Sequence, residues 1–286
     1  MKGYVQRALK IFLHEARKPV HGPTKHDRPE YGKKVQYARD DTTKPVNKKL
    51  KSKIQQVCGK FLFSGRAIDS TTQHALNELC VDASNATEET QEALLHFMDY
   101  LATHPDAKII YRKSDMQLQI ISDAAYLVAK MARSRAGGYH FLGNRDGKLF
   151  NGPIYVLAKI IKAVMASASE AECGGLFMNA QESIPFITTL EELGHKQQPI
   201  PLQTDNSTAN GIMNRTIKRK RSKAFDMRHW WLVDRCDQGQ FKVYWAPGKI
   251  SLADYFTKRH SASHHAALRP IYLYEEGKTE HGPRVY

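Results

Sequence analysis

Apolar residues recur with two different periods along this chain, and the change of period divides it. Over residues 47–104 they fall at helical spacing. Ile54, Val57, Cys58, Phe61 and Leu62 share one face. Thr72, Ala75, Leu76, Leu79 and Cys80 share a second, and Leu94, Phe97, Met98 and Leu101 a third. The spacing predicts three amphipathic helices that must bury their stripes against one another or a neighbour. Asn85 or Thr87 is the expected cap of the third helix. Pro105 is its expected stop, because the residue before a proline disfavours the helical region. Ahead of these, residues 1–18 predict one basic helix with Val5, Ala8, Leu9, Phe12 and Leu13 on one face. Residues 19–45 are rich in Pro, Gly and charge and read as an extended linker, in which Asp40 and Asp41 are expected to be solvated.

After His104 the period shortens. Residues 108–112 and 116–121 read as paired strands around a turn at 113–115, and residues 134–142 and 153–161 as two more, joined by a polar turn at 143–148. A long helix over 167–193 follows, bent at Pro185 and closed by Gly194. Next come a strand around Leu202, a helix over 207–216, a basic run at 218–223, a helix over 224–237, a strand over 241–245 and a helix near Asp254. Three strands, helix, strand, helices, strand, helix is the order of a ribonuclease H-like domain. The expected fold class is therefore α/β: a mixed five-stranded sheet with flanking helices, preceded by a small helical subdomain. The expected boundaries are 1–46 for the first helix and linker, 47–105 for the helical region, 106–274 for the sheet domain and 275–286 for a frayed tail.

Four acidic residues change the picture from fold to chemistry. Asp123 ends or interrupts the strand at 116–122, and Glu172 lies in the first turns of the long helix. Asp205 follows the Leu202 strand, and Asp254 opens the last helix. Strand ends in open α/β sheets are where such folds carry their chemistry. Oxygen donors without cysteine or histidine suit hard divalent ions. The pattern predicts a metal-dependent nuclease. Each residue also has a structural alternative. Ser167-x-x-Glu170 and Ser169-x-x-Glu172 both match a capping box, so one glutamate caps the helix while the other faces the metal. Asp205 can cap the helix after it, and Asp254 fits as a first-turn acid favoured by the helix dipole.

Charge points to the partner. There are 43 Lys+Arg against 29 Asp+Glu, a net charge of +14, and the isoelectric point is about 9.5. Such a balance favours a polyanion, and nucleic acid first. Lys218, Arg219, Lys220, Arg221 and Lys223 form the densest basic run, expected to track a phosphate backbone, with nuclear import as the second reading. Arg133, Ser134, Arg135, Asn206 and Ser207 lie near the predicted carboxylates and are candidate contacts to backbone or ribose. Trp230, Trp231 and Trp245 are expected in the core or a groove wall. The cysteines, Cys58, Cys80, Cys173 and Cys236, lack close spacing. An intracellular, reduced setting is expected, with cytoplasmic particle and nucleus both open. No apolar run reaches the length of a membrane span and the N-terminus lacks the apolar core of a signal peptide, so no membrane partner is expected.

Several stretches together carry a family resemblance. They are Ser122-Asp-Ala-Ala-Tyr126, Ala132-Arg-Ser-Arg-Ala-Gly-Gly138, Asn151-Gly-Pro153, Ala166-Ser-Ala-Ser-Glu-Ala-Glu172, Gln203-Thr-Asp-Asn206 and Leu252-Ala-Asp-Tyr-Phe-Thr-Lys258. Arg221-Ser-Lys223, Asp226-Met-Arg228, Ser263-His-His265 and Arg269-Pro270 add to them. The chain resembles the C-terminal part of a copia-type retrotransposon polyprotein, a reverse transcriptase thumb or connection region followed by ribonuclease H. The likeness covers residues 110–273, with a weaker one over 1–105. It implies hydrolysis of the RNA strand of an RNA–DNA hybrid with two Mg2+ or Mn2+ ions. Asp123 would bridge both ions, Glu172 and Asp205 would complete one shell and Asp254 the other. The family pattern favours Glu172 over Glu170. The resemblance also implies the polymerase part of a reverse transcriptase as a partner. Two departures stand out. The Tyr-x-Asp-Asp turn of a polymerase palm is absent, so this chain alone is not expected to copy nucleic acid. The stretch Ala246-Pro-Gly-Lys249 lacks the loop histidine of cellular ribonucleases H, so turnover is expected to be slow. The alternative is a catalytically inactive nucleic-acid-binding remnant.

Overall fold

The structure, a computed structural model, describes residues 2–26, 38–217 and 226–276. It divides into two compact units. One gathers residues 2–26, Arg39–Ile110 and residues 259–276; the other contains Tyr111–Lys258.

The first unit is helical: α1 (Tyr4–Ile11), α2 (Lys48–Ala67), α3 (Gln73–Asp82), α4 (Glu88–Thr103) and, from the far end of the chain, α8 (Ala262–Tyr272). The stripes read from the sequence are the buried faces. Ile54, Val57, Phe61, Leu76, Leu79, Leu94, Phe97 and Leu101 form one core with Ala8 and Leu9. Thr87 caps α4 by accepting from the Thr90 N–H, and the Thr90 hydroxyl accepts from the Thr87 N–H in return. The helix stops at Thr103, two residues short of Pro105. Asp40 is exposed, whereas Asp41 accepts hydrogen bonds from the Thr43 N–H and the Thr87 hydroxyl at the start of α4.

Two sequence expectations fail in this unit. The first helix ends at Ile11 rather than running to residue 18. Leu13 takes a left-handed φ of 52° and stands 88% exposed. Its N–H and that of His14 close back onto the Lys10 and Leu9 carbonyls, which ends the helix. The chain is then tied to α4, where the Asp99 carboxylate receives His14 Nε2 and Arg17 Nε, each at 2.9 Å. Residues 259–274, counted with the sheet domain on sequence, fold here with the helices. His265 Nε2 bonds the Tyr100 hydroxyl at 2.8 Å, and Arg269 reaches the Asp106 carbonyl at 3.1 Å. These partners lie more than 160 residues apart, so no local pattern announces them.

The second unit is the expected mixed five-stranded sheet with flanking helices, ordered β3-β2-β1-β4-β5. Its strands are β1 (Gln117–Ala129), β2 (Arg133–Gly143), β3 (Pro153–Ile160), β4 (Ile200–Thr204) and β5 (Phe241–Trp245). The first three pair antiparallel; β4 is parallel to β1, and β5 to β4. Helix α5 (Ala168–Glu192) makes the crossover from β3 to β4, followed by α6 (Ser207–Met213) and α7 (Asp226–Asp237). Leu118, Ile120, Leu176, Leu202, Leu232 and Val243 form the core on the α5 side. Alternation along β2 sends Tyr139 the other way, where it stacks on Phe150 and Phe256 at 5.0 and 6.1 Å between ring centroids.

Residues 108–112 form no strand. The Asn151 side chain takes both backbone groups of Arg112, at 2.8 and 2.9 Å, and so does the work of a partner strand. β1 does not stop at Asp123 but runs on to Ala129, with Asp123 opposite Gly137. The helix after β4 ends at Met213, and Asp254 opens a three-residue 3-10 turn rather than a helix. Among the described residues no helix is long and apolar enough to cross a membrane.

Candidate active site

Asp123 sits inside β1, buried at 3% exposure. Opposite it, Gly137 lacks a side chain for a steric reason. A Cβ there would lie 2.6 Å from the Ala253 carbonyl and 2.7 Å from the Thr257 methyl. The bare backbone lets residues 253–257 lie against the strand, and Thr257 Oγ1 donates to Asp123 Oδ2 at 2.7 Å. Gly138 does the same on the α5 side, where a Cβ would meet Asn179 Oδ1 at 1.7 Å. Asn179 donates to Ser122 Oγ at 3.0 Å and to the Gly137 carbonyl at 2.9 Å, and accepts from His140 Nε2 at 2.9 Å. That clamp holds α5 to β1 and β2 beside Asp123.

The two glutamates of α5 separate cleanly. Ser167 caps the helix by accepting from the Glu170 N–H at 3.2 Å, and Glu170 reaches back to accept from the Ala166 N–H at 3.0 Å. Glu172 is buried and turns toward the sheet, accepting from the Ala124 N–H at 3.1 Å and from Thr204 Oγ1 at 3.4 Å. Asp205 follows β4. The cap of α6 is Asn206, which accepts from the Ala209 N–H at 2.8 Å, so Asp205 is free of that duty. Trp245 Nε1 holds the Asp205 carbonyl at 2.9 Å. Gly248 passes so near that a Cβ would stand 2.6 Å from Asp205 Oδ2.

Asp123, Glu172 and Asp205 each bring a carboxylate oxygen within 4.8 Å of the others. Asp254 is not one of this set. Its Oδ1 accepts from Lys258 Nζ, one turn further along. Burial, then the Asp254 charge and that of Asp205, pushes the Asp123 carboxyl well above the ordinary range. Burial, then Asp123 and Asp205, does the same to Glu172. Asp205 is raised by burial and by Asp254. Lys258 works against the rise at Asp123 and Asp205. Mutually repelling carboxylates of this kind hold protons at neutral pH or take a cation. The donors are oxygens only, which fits Mg2+ or Mn2+.

The predicted nucleic-acid contacts are spread more widely. Ser134 and Arg135 are buried inside β2, where Ser134 Oγ accepts from the Leu127 N–H at 3.2 Å. Asn206 is engaged as a cap. Arg133 is partly exposed at the start of β2, and Ser207 is exposed on α6. Lys218, Arg219, Lys220, Arg221 and Lys223 lie outside the described residues. Trp231 packs on Phe177 at 5.3 Å, while Trp230 and Trp245 are 56% and 48% exposed and so are not core. Sequence reasoning passed over Thr257, Lys258, Asn179 and His140. The signals were the Thr257-Lys258 pair after Asp254 and the adjacent glycines of β2.

No family model matches the chain. The retrovirus-related Pol polyprotein from transposon TNT 1-94 of Nicotiana tabacum is 24% identical over 255 residues, which are 89% of this chain and 18% of that polyprotein. Over most of its length the chain is similar to copia-type retrotransposon Pol polyproteins. The polyprotein from transposon RE1 of Arabidopsis thaliana is 27% identical over 188 residues, 65% of this chain and 12% of that one. The chain thus spans less than a fifth of the length of these copia-type relatives, 18% and 12%. Among solved structures, an N-terminal RNase H domain from Mycobacterium tuberculosis is 14% identical, with a TM-score of 0.37, covering 49% of this chain and 95% of that domain. LC11-RNase H1 in complex with an RNA/DNA hybrid is 12% identical, with a TM-score of 0.38, covering 49% and 94%.

Proposed function

We propose that the sheet unit is a divalent-metal-dependent ribonuclease H that hydrolyses the RNA strand of RNA–DNA hybrids, as part of a reverse transcriptase polyprotein. The observation that carries this reading is the convergence of Asp123, Glu172 and Asp205 within 4.8 Å inside a basic chain. Glu172 and Asp205 would hold one ion with Asp123, and Asp123 and Asp254 a second. When bound, such ions ease deprotonation of an attacking water and offset charge on the leaving oxygen at a scissile phosphate. The chain's own contribution is placement. Thr257 orients Asp123, the Ala124 N–H and Thr204 hold Glu172, and Trp245 with Gly248 fixes Asp205. The bound hybrid, the polymerase part as a partner, and Arg133 and Ser207 as backbone contacts belong to the same proposal.

The test is cleavage of a labelled hybrid beside duplex DNA, with and without Mg2+ or Mn2+. Metal-dependent cutting of the RNA strand alone is expected. Asp205→Asn should lower the rate by about a hundredfold or more, since it removes an anionic ligand and keeps the shape. Metal-free binding of hybrid should survive, because a negative charge near the phosphates is gone. Asp40→Asn, at an exposed residue outside the site, should cut like wild type. Equal, metal-independent background from wild type and Asp205→Asn would establish the inactive binding remnant instead.

A further inference from the structure

Lys258 brings a side-chain cation against the fourth carboxylate of the predicted site. Its Nζ bonds Asp254 Oδ1 four residues back. The neighbouring Thr257 is fully buried and bonded to Asp123, so the backbone that carries Lys258 is pinned to the carboxylate cluster. The fit of this segment against Gly137 leaves it no room to shift inward. Three carboxylates converge without Asp254, and the fourth is held by the ammonium. Asp123 and Asp205 feel the same cation.

Resting on the ribonuclease reading, we propose that Lys258 is a tethered counter-ion of the site, which holds Asp254 and weakens divalent-ion binding on the Asp123–Asp254 side. Four carboxylates carry four negative charges. Two divalent ions would balance them, and a fixed ammonium among them is surplus. Asp123 and Asp254 would take an ion only by giving up Lys258 or by binding against its field. The ion held by Asp123, Glu172 and Asp205 meets it less directly. The chain therefore takes one divalent ion firmly and a second weakly, and the ammonium stabilises Asp254 when no ion is there. Because Lys258 is half exposed, with its side chain 50% accessible, water screens the effect and keeps it modest.

The experiment is Mn2+ titration of the full chain by calorimetry, with metal-free thermal melting as a second readout. Wild type should bind one ion firmly and one weakly. Lys258→Met keeps length and loses charge. Its weaker site should tighten about tenfold, a change suited to one screened charge, and its metal-free melting point should fall. Lys258→Arg keeps the charge and should bind like wild type. Asp254→Asn should lose the weak site and keep the firm one, and Asp205→Asn should lose the firm one. If Lys258→Met matches wild type at both sites while Asp205→Asn loses the firm ion, Lys258 has no such role and the nuclease reading stands. If wild type binds no Mn2+, both ideas fall together.

Discussion

Gly248 has no side chain for a reason that Asp205 supplies. Any Cβ there would stand 2.6 Å from the carboxylate oxygen, inside van der Waals contact. The residue is exposed in a turn after β5, so Gly248→Ala should leave stability within about 0.5 kcal/mol of wild type. It should nonetheless cost roughly tenfold to a hundredfold in hybrid cleavage, by pushing Asp205 out of register with its partners. A variant that melts and cuts like wild type would show that the turn yields instead. The same scale shows what a sequence can reveal about a site. The three carboxylates of the cluster were legible, because each sits at a recognisable element boundary or strand. Glu170 and Glu172 were separable only by a family pattern; the structure separates them by hydrogen bonds, Glu170 to the Ala166 N–H and Glu172 to the Ala124 N–H. Thr257, Lys258 and Gly137 left only a faint trace, a Thr-Lys pair and two adjacent glycines, because their roles come from a chain segment laid across the sheet from more than 100 residues away.

At the scale of elements, the long helix α5 is held on the sheet by polar groups as well as by packing. Asn179, His140 and Ser122 are all fully buried and bonded together, and the imidazole must be neutral to fit. Burial lowers the His140 pKa from 6.5 to about 4, with the Asn179 bond opposing the fall. Between these values the unfolded chain binds more protons than the folded one. The stability that His140 contributes is therefore intact above about pH 6.5 and is lost as pH falls toward 4. The loss from this one group should reach on the order of 3 kcal/mol by pH 4. Urea unfolding across that range should show the advantage of wild type over His140→Gln shrinking toward pH 4; parallel profiles would sink the assignment. The apolar face of α2 was legible from sequence, and the bounds of α4 and α5 within a residue or two. Two failures came where another part of the chain supplied the hydrogen bonds: Asn151 keeps residues 108–112 out of the sheet, and β2 draws β1 on past Asp123.

At the scale of the whole molecule, the chain leaves the helical unit at Ile110 and rejoins it at Arg259, so the sheet unit is an insertion in the helical one. The sequence hid this, since α8 continues the family-like stretch without a break. Each unit has its own apolar core, and this makes a prediction about where the chain can be cut. A protein of residues 111–258 should fold cooperatively by itself and keep metal-dependent cleavage. Removing only residues 1–105 is the worse choice. It strips α8 of the Tyr100 and Asp69 partners that hold His265 and Arg269, and the exposed remnant should promote aggregation. The two proteins should also differ from full length in how salt affects hybrid binding. Helix α2 carries Lys48, Lys49, Lys51, Lys53, Lys60 and Arg66 with no acidic residue, and α1 adds Arg7 and Lys10. If these helices meet phosphates, full length should lose affinity more steeply with salt, by a slope larger by about 2 or more on logarithmic axes, since each neutralised phosphate contributes just under one. Binding measured across a salt series for full length and for residues 111–258 decides it. Equal slopes would confine the nucleic-acid surface to the sheet unit and leave the basic helices without a part in binding.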